Sequence, residues 1–440
     1  MNTRINLLIT GVAHKKRLFL IILTLVLFSW TYFSVIKKRN FPTLSNSQLL
    51  DIKSMIQDMC QDVVSRNPKQ LANSNTSQPS VSINVMTGNE VPFDQLKKIL
   101  FYTDCYGGWD YFIGATGREA FRVLGCPDAP CYVTSNRSLM PLDQFDALVF
   151  HPRANSFAMA NMPKIRSPHQ RYIMWIIESG CYPSHALPKF DNFFNWTMSY
   201  RLDSDILQPY GTFKEIRPLP QKAALDSYIA QFGRDHTFFA KNKTKLAAWF
   251  VSNCNTAVNR EGYVEELKKY ISVDIYGRCG HLKCQQKQPD NCLNIVDNDY
   301  KFYLAFENSL SLDYVTEKMF KVMDKNVIPV TLASNQRLPL PKHSIIDATK
   351  FSPQDLASYL KEIDANDALY AEYHWWKSFY RIEKGNKVNN FCQLCQKLND
   401  PRDPPKTYQS MQKWWVNDAN CSKWSQNRII KASPWPMSNG

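Results

Sequence analysis

The sequence predicts an α/β protein built on parallel sheets, and three features of the chain predict it. Short apolar runs recur at strand length. They are KKILFYTD (97–104), DALVFH (146–151) and RYIMWIIE (171–178), then KLAAWFVSN (245–253), VDIYG (273–277), KFYLAFE (301–307) and VIPVTL (327–332). Nearly continuous apolar runs of this kind suit strands covered on both faces. Helical spacing lies between them: in REGYVEELKKY (260–270), Tyr263, Leu267 and Tyr270 share one face. Finally, residues 95–440 are too many for one ordinary core, so two domains are expected. The boundaries read from the sequence are 95–235 and 236–370, with a linker at 212–243 around Pro218 and Pro220. A last segment, 371–440, packs across both.

Residues 300–332, YKFYLAFENSLSLDYVTEKMFKVMDKNVIPVTL, carry the most information. A buried strand leads to a polar turn at 307–309, and a helix follows with Asp313 as its N-cap. Val315, Met319, Val322 and Met323 form its apolar stripe, while Tyr314, Glu317, Lys318 and Lys321 share the other face. A second apolar run closes a β-α-β unit. Ligands of such sheets lie beyond the carboxyl ends of the strands, near helix N-termini. A lysine, a glutamate and a tyrosine there suit an anionic, hydroxylated ligand such as a sugar nucleotide. A βαβ unit with a merely solvated charged face has the same spacing.

The formal charge is +14, from 53 basic and 39 acidic residues. Arg4, Lys15, Lys16, Arg17, Lys37, Lys38 and Arg39 supply half of it, and the first 40 residues contain no acid. The rest of the chain is only mildly basic, which argues against nucleic acid as a partner. Residues 18–36 form an uncharged apolar run bracketed by basic clusters. At ~1.5 Å per helical residue the run nearly crosses a bilayer's hydrocarbon core. A cleaved signal peptide would have a shorter core ending in small residues, so a retained signal-anchor is the reading, with residues 1–17 as its tail. All twelve cysteines and the sequons at Asn75, Asn136, Asn195, Asn242 and Asn420 follow the anchor. Both features fit an oxidising, glycosylating lumen, hence a single-pass type II topology. Residues 37–94, rich in Asn, Ser and Gln, read as a stem. Met55, Met59 and Val63 there recur at helical spacing, and Cys60 is either free or paired with a second copy of the chain. The stem or anchor is thus a candidate homodimer contact.

YKFYLAFENS, DYVTEK and VIPV together resemble the donor-binding signature of the α1,3/4-fucosyltransferases. The likeness runs over residues 95–425 and includes WIIES (175–179), FNWTMSYRLDSDILQPYG (194–211), AAWFVSNCN (247–255), DIYGRCG (274–280) and FCQLCQ (391–396). The resemblance implies a GT-B arrangement, two Rossmann-like halves facing a cleft. It also implies transfer of L-fucose from GDP-β-L-fucose to the 3-hydroxyl of N-acetylglucosamine in N-glycan cores or antennae, and residence in the Golgi membrane. Inversion at the anomeric carbon by one displacement needs a base for the acceptor hydroxyl and cations for the leaving diphosphate. Glu178, at the end of an apolar strand, is the candidate base. The family continues Glu-Ser-Pro at this point, whereas this chain reads Glu-Ser-Gly180-Cys181. Lys318 and Arg260 are the expected phosphate ligands, the latter beside a helix N-terminus. Family likeness assigns Glu317 to the fucose hydroxyls or to developing positive charge, and Asn308 and Tyr314 to the nucleotide-sugar wall. A Glu317–Lys321 surface pair is the structural alternative.

Asp203-Ser-Asp205 and Asp297-Asn-Asp299 fit a loose Asp-x-Asp metal pattern. With a basic pair at hand for the phosphates, no cofactor is expected to be required, a divalent cation being a stimulant at most. Cys279, Cys284 and Cys292 could be drawn with His281 as a zinc site, but disulfides are the expectation in a lumen. Cys126 with Cys131 and Cys392 with Cys395 are the other local candidates, spacing alone leaving connectivity open. The aromatic stripe YAEYHWWKSFY (370–380) is expected in packing rather than as a carbohydrate platform. Two rival classes remain from the sequence: another inverting nucleotide-sugar transferase, and a lumenal carbohydrate-binding module without catalysis.

Overall fold

The structure is a computed structural model that describes residues 91–434, apart from 106–107, 109–112, 155, 183–186, 285–288 and 386–389. The expected anchor and the stem up to residue 90, with Asn75 and Cys60, lie outside the described residues. Among the described residues no helix is long and apolar enough to cross a membrane.

The chain opens with β1 (Lys97–Phe101), a short helix α1 (Glu119–Val123), β2 (Cys131–Thr134), β3 (Ala147–Phe150), β4 (Arg171–Ile176), β5 (Trp196–Ser199) and β6 (Ile206–Leu207). These six strands form one parallel sheet in the order β2-β1-β3-β4-β5-β6. β7 (Gly211–Glu215) and α2 (Leu225–Asp235) follow, then β8 (Lys245–Phe250), α3 (Arg260–Leu267), β9 (Val273–Tyr276), α4 (Pro289–Asp299), β10 (Tyr300–Phe306), α5 (Glu317–Phe320), β11 (Ile328–Leu332) and β12 (Ile346–Asp347). The second parallel sheet has the order β12-β11-β10-β8-β9. Read from the other edge, it repeats the 2-1-3-4-5 order of the first. Each sheet therefore reverses direction beside its first strand, between β1 and β3 and between β8 and β10. The crevice at the carboxyl ends of such a strand pair is where doubly wound sheets take their ligands.

Period-two alternation sorts each strand between two cores. In β4, Ile173 and Trp175 face one core while Tyr172, Met174 and Ile176 face the other. In β10, Phe302, Leu304 and Phe306 pack with Tyr263, Val264 and Leu267 of α3, whereas Tyr303 and Ala305 pack with Val315, Met319, Val322 and Met323. The chain's end passes through α6 (Pro353–Asp364), α7 (Asp367–Glu372), β13 (Tyr380–Lys384), α8 (Asn390–Leu398), α9 (Met411–Trp415), β14 (Ser422–Ser425) and β15 (Arg428–Lys431). α6 and α7 cover the second sheet, and the chain then returns to the first. Phe391 and Leu394 of α8 close one of that sheet's faces, and Met411 and Trp415 of α9 close the other.

Several expectations are corrected. α2, assigned to the first domain, packs on the second: Ile229 and Phe232 join the core of Tyr303, and Gly233 lies so near Ala368 that a Cβ would sit 2.5 Å from its carbonyl oxygen. Tyr270 lies past the end of α3 and is exposed, because the chain turns toward β9. Asp313 caps no helix. Its φ is +60°, and α5 is a single turn whose N-cap is Thr316. The local disulfide pairings give way to long-range ones, Cys126–Cys392 and Cys131–Cys395, which tie α8 to the loop before β2 and to its first residue. Cys279 pairs with Cys254, so the loops after β8 and β9 are joined, and Cys284 pairs with Cys292. Trp375, Trp376, Tyr370 and Tyr373 of the aromatic stripe are all buried.

Candidate functional site

The second sheet's crevice is built around a carboxylate the sequence reading left in a polar turn. Glu307, the residue after β10, is fully buried. Its Oε1 accepts from the Thr316 backbone N–H at 2.7 Å and from the Thr316 hydroxyl at 2.8 Å. The Lys318 ammonium lies 3.0 Å from Glu307 Oε2 and donates to Thr316 Oγ1 at 2.9 Å. Glu317 Oε1 is the third neighbour of Lys318, at 3.2 Å, and this carboxylate is 59 % exposed. Burial alone would pull the Lys318 pKa down; Glu307 and Glu317 outweigh it and hold the ammonium above the ordinary lysine value. Desolvation pushes the Glu307 carboxyl up, with Lys318 opposing. Lys321 stands nearby over the Tyr303 ring, 5.5 Å from its centroid, rather than pairing along the surface with Glu317.

Arg260 lies underneath rather than on the surface. It is 3 % exposed, and its terminal nitrogens donate to Phe306 O at 2.6 Å and Asn253 O at 2.9 Å. It thus clamps the carboxyl ends of β8 and β10 together at the switch point. Its Nε is buried without a hydrogen-bond partner among the described residues, 3.5 Å from Glu261 Oε1. The carbonyl of Asn308 accepts from the Tyr182 hydroxyl at 3.2 Å, and Asn308 Oδ1 is buried with no partner among the described residues. Tyr314 is not on the charged face. It is buried between Tyr200 (ring centroids 5.0 Å apart) and Tyr210 (6.3 Å), and burial raises its phenol well above the usual value.

On the first half, Glu178 lies two residues beyond β4, about a third exposed, with Arg153 Nη1 3.6 Å away. The preceding carbonyl, Ile177 O, accepts from Tyr210 Oη at 2.6 Å. The loop that follows is fixed from several sides. A Cβ on Gly180 would lie 2.2 Å from Trp415 O, so that residue must be glycine. Cys181 is bonded to Cys421. Tyr182 Oη, besides reaching Asn308, accepts from the Ala257 N–H at 3.0 Å. The Gly-Cys departure from the family's Pro thus belongs to a loop bonded directly to the second half. Burial pushes the Tyr210 phenol well above its usual value, and the charges of Glu178, Glu317 and Glu307 add to that shift.

Two cavities flank α5 and share Lys321. One, of about 320 Å³, is lined by Ile177, Tyr210, Glu317, Phe320 and Lys384 among others. The other, of about 570 Å³, has Phe250 and Tyr276 stacked at 4.5 Å on its wall, with Arg278 and Lys283 at its edge. A wider hollow of about 940 Å³ beside Cys126 and Cys392 contains none of the candidate residues.

Both Asp-x-Asp tripeptides are engaged by the fold. Asp203 takes Arg201 through both oxygens at 2.9 and 2.6 Å. Asp205 takes Lys406 Nζ at 2.6 Å and Tyr408 Oη at 2.8 Å, while Asp297 accepts from the Asn326 N–H at 2.6 Å. Of the described sequons, Asn136, Asn242 and Asn420 are exposed. Asn195 is buried, donating to Lys406 O at 2.8 Å and accepting from Tyr172 N–H at 2.8 Å, so a glycan there would displace the segment around Lys406. Glu307 and Thr316 are the site residues that sequence reasoning missed. The one signal for them was their placement at the strand end and in the first turn of the βαβ unit.

Two doubly wound halves with a carboxylate on one and a cation network on the other define a group-transfer enzyme of the nucleotide-sugar type. Residues 240–414 match the glycosyltransferase family 10 (fucosyltransferase) C-terminal model, and residues 94–211 match the fucosyltransferase N-terminal model. The chain is 38 % identical over 355 residues to alpha-(1,3)-fucosyltransferase C of Drosophila melanogaster, covering 76 % of this chain and 80 % of that one. It is 33 % identical to glycoprotein 3-alpha-L-fucosyltransferase A of the same organism (74 % and 62 % covered). It is 36 % identical to a human 4-galactosyl-N-acetylglucosaminide 3-alpha-L-fucosyltransferase (62 % and 72 %). A crystal structure of an alpha1,3-fucosyltransferase with GDP-fucose aligns with a TM-score of 0.41 at 16 % identity, covering 70 % of this chain and 91 % of that one. The chain belongs to glycosyltransferase family 10, the fucosyltransferases.

Proposed function

We propose that the protein is an inverting α1,3-fucosyltransferase that moves L-fucose from GDP-β-L-fucose to the 3-hydroxyl of N-acetylglucosamine on glycoprotein or related glycans. The observation that carries this reading is the Glu307–Thr316–Lys318 network at the β8/β10 crevice, with Glu317 and Tyr210 lining one cavity and Tyr210 bonded to the carbonyl that precedes Glu178. Glu178 takes the proton from the acceptor hydroxyl as that oxygen attacks the anomeric carbon, and the bond to the diphosphate oxygen breaks in the same step. Lys318 stabilises the charge developing on GDP, with Arg260 adding positive charge from beneath. Glu317, the exposed neighbour of Lys318, is placed for the fucose hydroxyls. The unpartnered Oδ1 of Asn308 suits a ligand hydroxyl. The aromatic-walled cavity at Phe250 and Tyr276 suits the guanine base, and the cavity at Ile177 and Tyr210 suits the acceptor. Five disulfides among the described residues support an oxidising compartment, in keeping with a lumenal catalytic region behind a single N-terminal anchor in the Golgi membrane.

Incubation with GDP-fucose and a panel of N-glycan core and lactosamine acceptors, read by mass spectrometry, tests the assignment. A mass gain of one deoxyhexose in α1,3 linkage is expected. A donor bound to the fold stabilises it as its concentration exceeds Kd, so GDP should raise the melting temperature where UDP does not. Transfer from another nucleotide sugar in preference to GDP-fucose would overturn the donor assignment. A shift with neither nucleotide and no product would leave a carbohydrate-binding module as the better reading.

A further inference from the structure

Lys318 has no unoccupied direction in which to meet a diphosphate. Its ammonium has three near partners: Glu307 Oε2 at 3.0 Å, Thr316 Oγ1 at 2.9 Å and Glu317 Oε1 at 3.2 Å. The three partners differ sharply in how freely they move. Glu307 is 0 % exposed and follows a strand buried along its whole length, whereas Glu317 is 59 % exposed. Arg260 fixes the carbonyl immediately before Glu307, Phe306 O, at 2.6 Å. Thr316 donates to Glu307 through both its backbone N–H and its hydroxyl, which locks the carboxylate plane. One of these elements is built to stay and the other to leave.

We propose, on the reading that Lys318 meets the donor diphosphate, that Glu307 is a positioning residue for the transfer: it anchors the Lys318 ammonium while the exposed Glu317 carboxylate is exchanged for a phosphate oxygen. A buried carboxylate with no counter-charge is strongly destabilising, so the fold has a reason to keep Lys318 charged and in place before the donor arrives. The Thr316 bonds alone do not require a carboxylate, because an amide oxygen accepts them equally well. The lysine requires it. The exchange also frees Glu317 at the moment a sugar is delivered beside it, coupling phosphate binding to fucose recognition.

A double-mutant cycle on the full chain separates this from a structural role. Glu307→Gln keeps the acceptor oxygen for Thr316 and removes the charge that holds Lys318. Turnover with GDP-fucose should fall about 10²-fold, the scale of a misplaced catalytic group, with a smaller change in donor KM. In a Lys318→Ala background the same substitution should lower turnover by less than about threefold, because coupled residues are not additive. Glu307→Asp, which keeps the charge, should recover part of the loss and carries the same cycle if the glutamine variant does not accumulate folded. Multiplying losses in the double variant, or wild-type turnover in Glu307→Gln, would overturn the proposal. Wild-type turnover in Lys318→Ala alone would overturn instead the reading on which it rests.

Discussion

The two sheets share a strand order, but their functional residues are secured in opposite ways. On the second sheet the bonds run inward. Arg260 holds Phe306 and Asn253, Glu307 holds Thr316, and Thr316 and Glu307 hold Lys318, all within residues 253–318. On the first sheet, the Glu178 loop has local support from Tyr210, and further supports come from elsewhere. Tyr210 holds Ile177, Trp415 confines Gly180, Cys421 is bonded to Cys181, and Tyr182 reaches out to Asn308 and Ala257. One half preorganises its charges by itself. The other is set in place by the segments that return to it. On the proposed function the difference suits the chemistry: a leaving diphosphate needs fixed positive charge, whereas a base must meet acceptors of varied shape.

The largest effect tests the base. Glu178→Gln should lower turnover by about 10²–10⁴-fold, the range of a general base, with the melting temperature and GDP binding nearly unchanged. The stability half of that expectation follows from exposure, since Glu178 is about a third exposed and its ion pair with Arg153 is long, at 3.6 Å. A fall in turnover matched by a loss of GDP binding would move Glu178 to the donor side and erase the contrast between the halves.

A smaller effect tests the external support. The Cys181–Cys421 bond closes a loop of 240 residues, and removing both sulfurs as Cys181→Ala/Cys421→Ala should cost about 2–4 kcal/mol of stability. If this bond positions the base loop, turnover should drop more than GDP affinity, because Glu307, Thr316 and Lys318 are bonded to one another rather than to it. Urea unfolding and GDP titration of the same variant make the comparison. Equal losses in turnover and GDP affinity would show that both halves depend on the returning segment alike.

Much of the second half was legible in the sequence because local pattern and fold agree there. Residues 301–307 and 327–332 read as buried strands and are β10 and β11 to within a residue or two, and the stripe of Val315, Met319, Val322 and Met323 is buried as its spacing required. The misses share a cause. Glu307 reads only as part of a polar turn because its partner lies eleven positions on, around a turn whose left-handed residue, Asp313, has the side chain of an N-cap. Asp313 instead accepts the Leu202 N–H at 3.0 Å from the other half. The Cys-x-x-Cys of α8 looks like a local pair, whereas its partners are 266 and 264 residues away. In each case a contact distant in sequence decided what the local spacing left open. The first sheet, covered by α8 and α9 from the far end of the chain, had to be the less legible half.

The smallest expected effect concerns metal. In glycosyltransferases that use an Asp-x-Asp pair, the carboxylates must be open to a cation beneath the diphosphate, and those of Asp203 and Asp205 are not. Asp203 is taken up by Arg201, and Asp205 by Lys406, Tyr408 and the Thr197 N–H. Asp297 and Asp299 lie at the start of β10, whereas Glu307 follows its end, and a strand of 7 residues at ~3.3 Å each separates them. On the proposed function, Lys318 with Arg260 beneath it would fill the electrostatic role of a metal. Turnover in excess EDTA should therefore stay within about twofold of that in buffer alone, a change of under ~0.5 kcal/mol in barrier. Abolition by EDTA with recovery on adding Mn²⁺ would mean that the inward-bonded network of the second half is incomplete on its own.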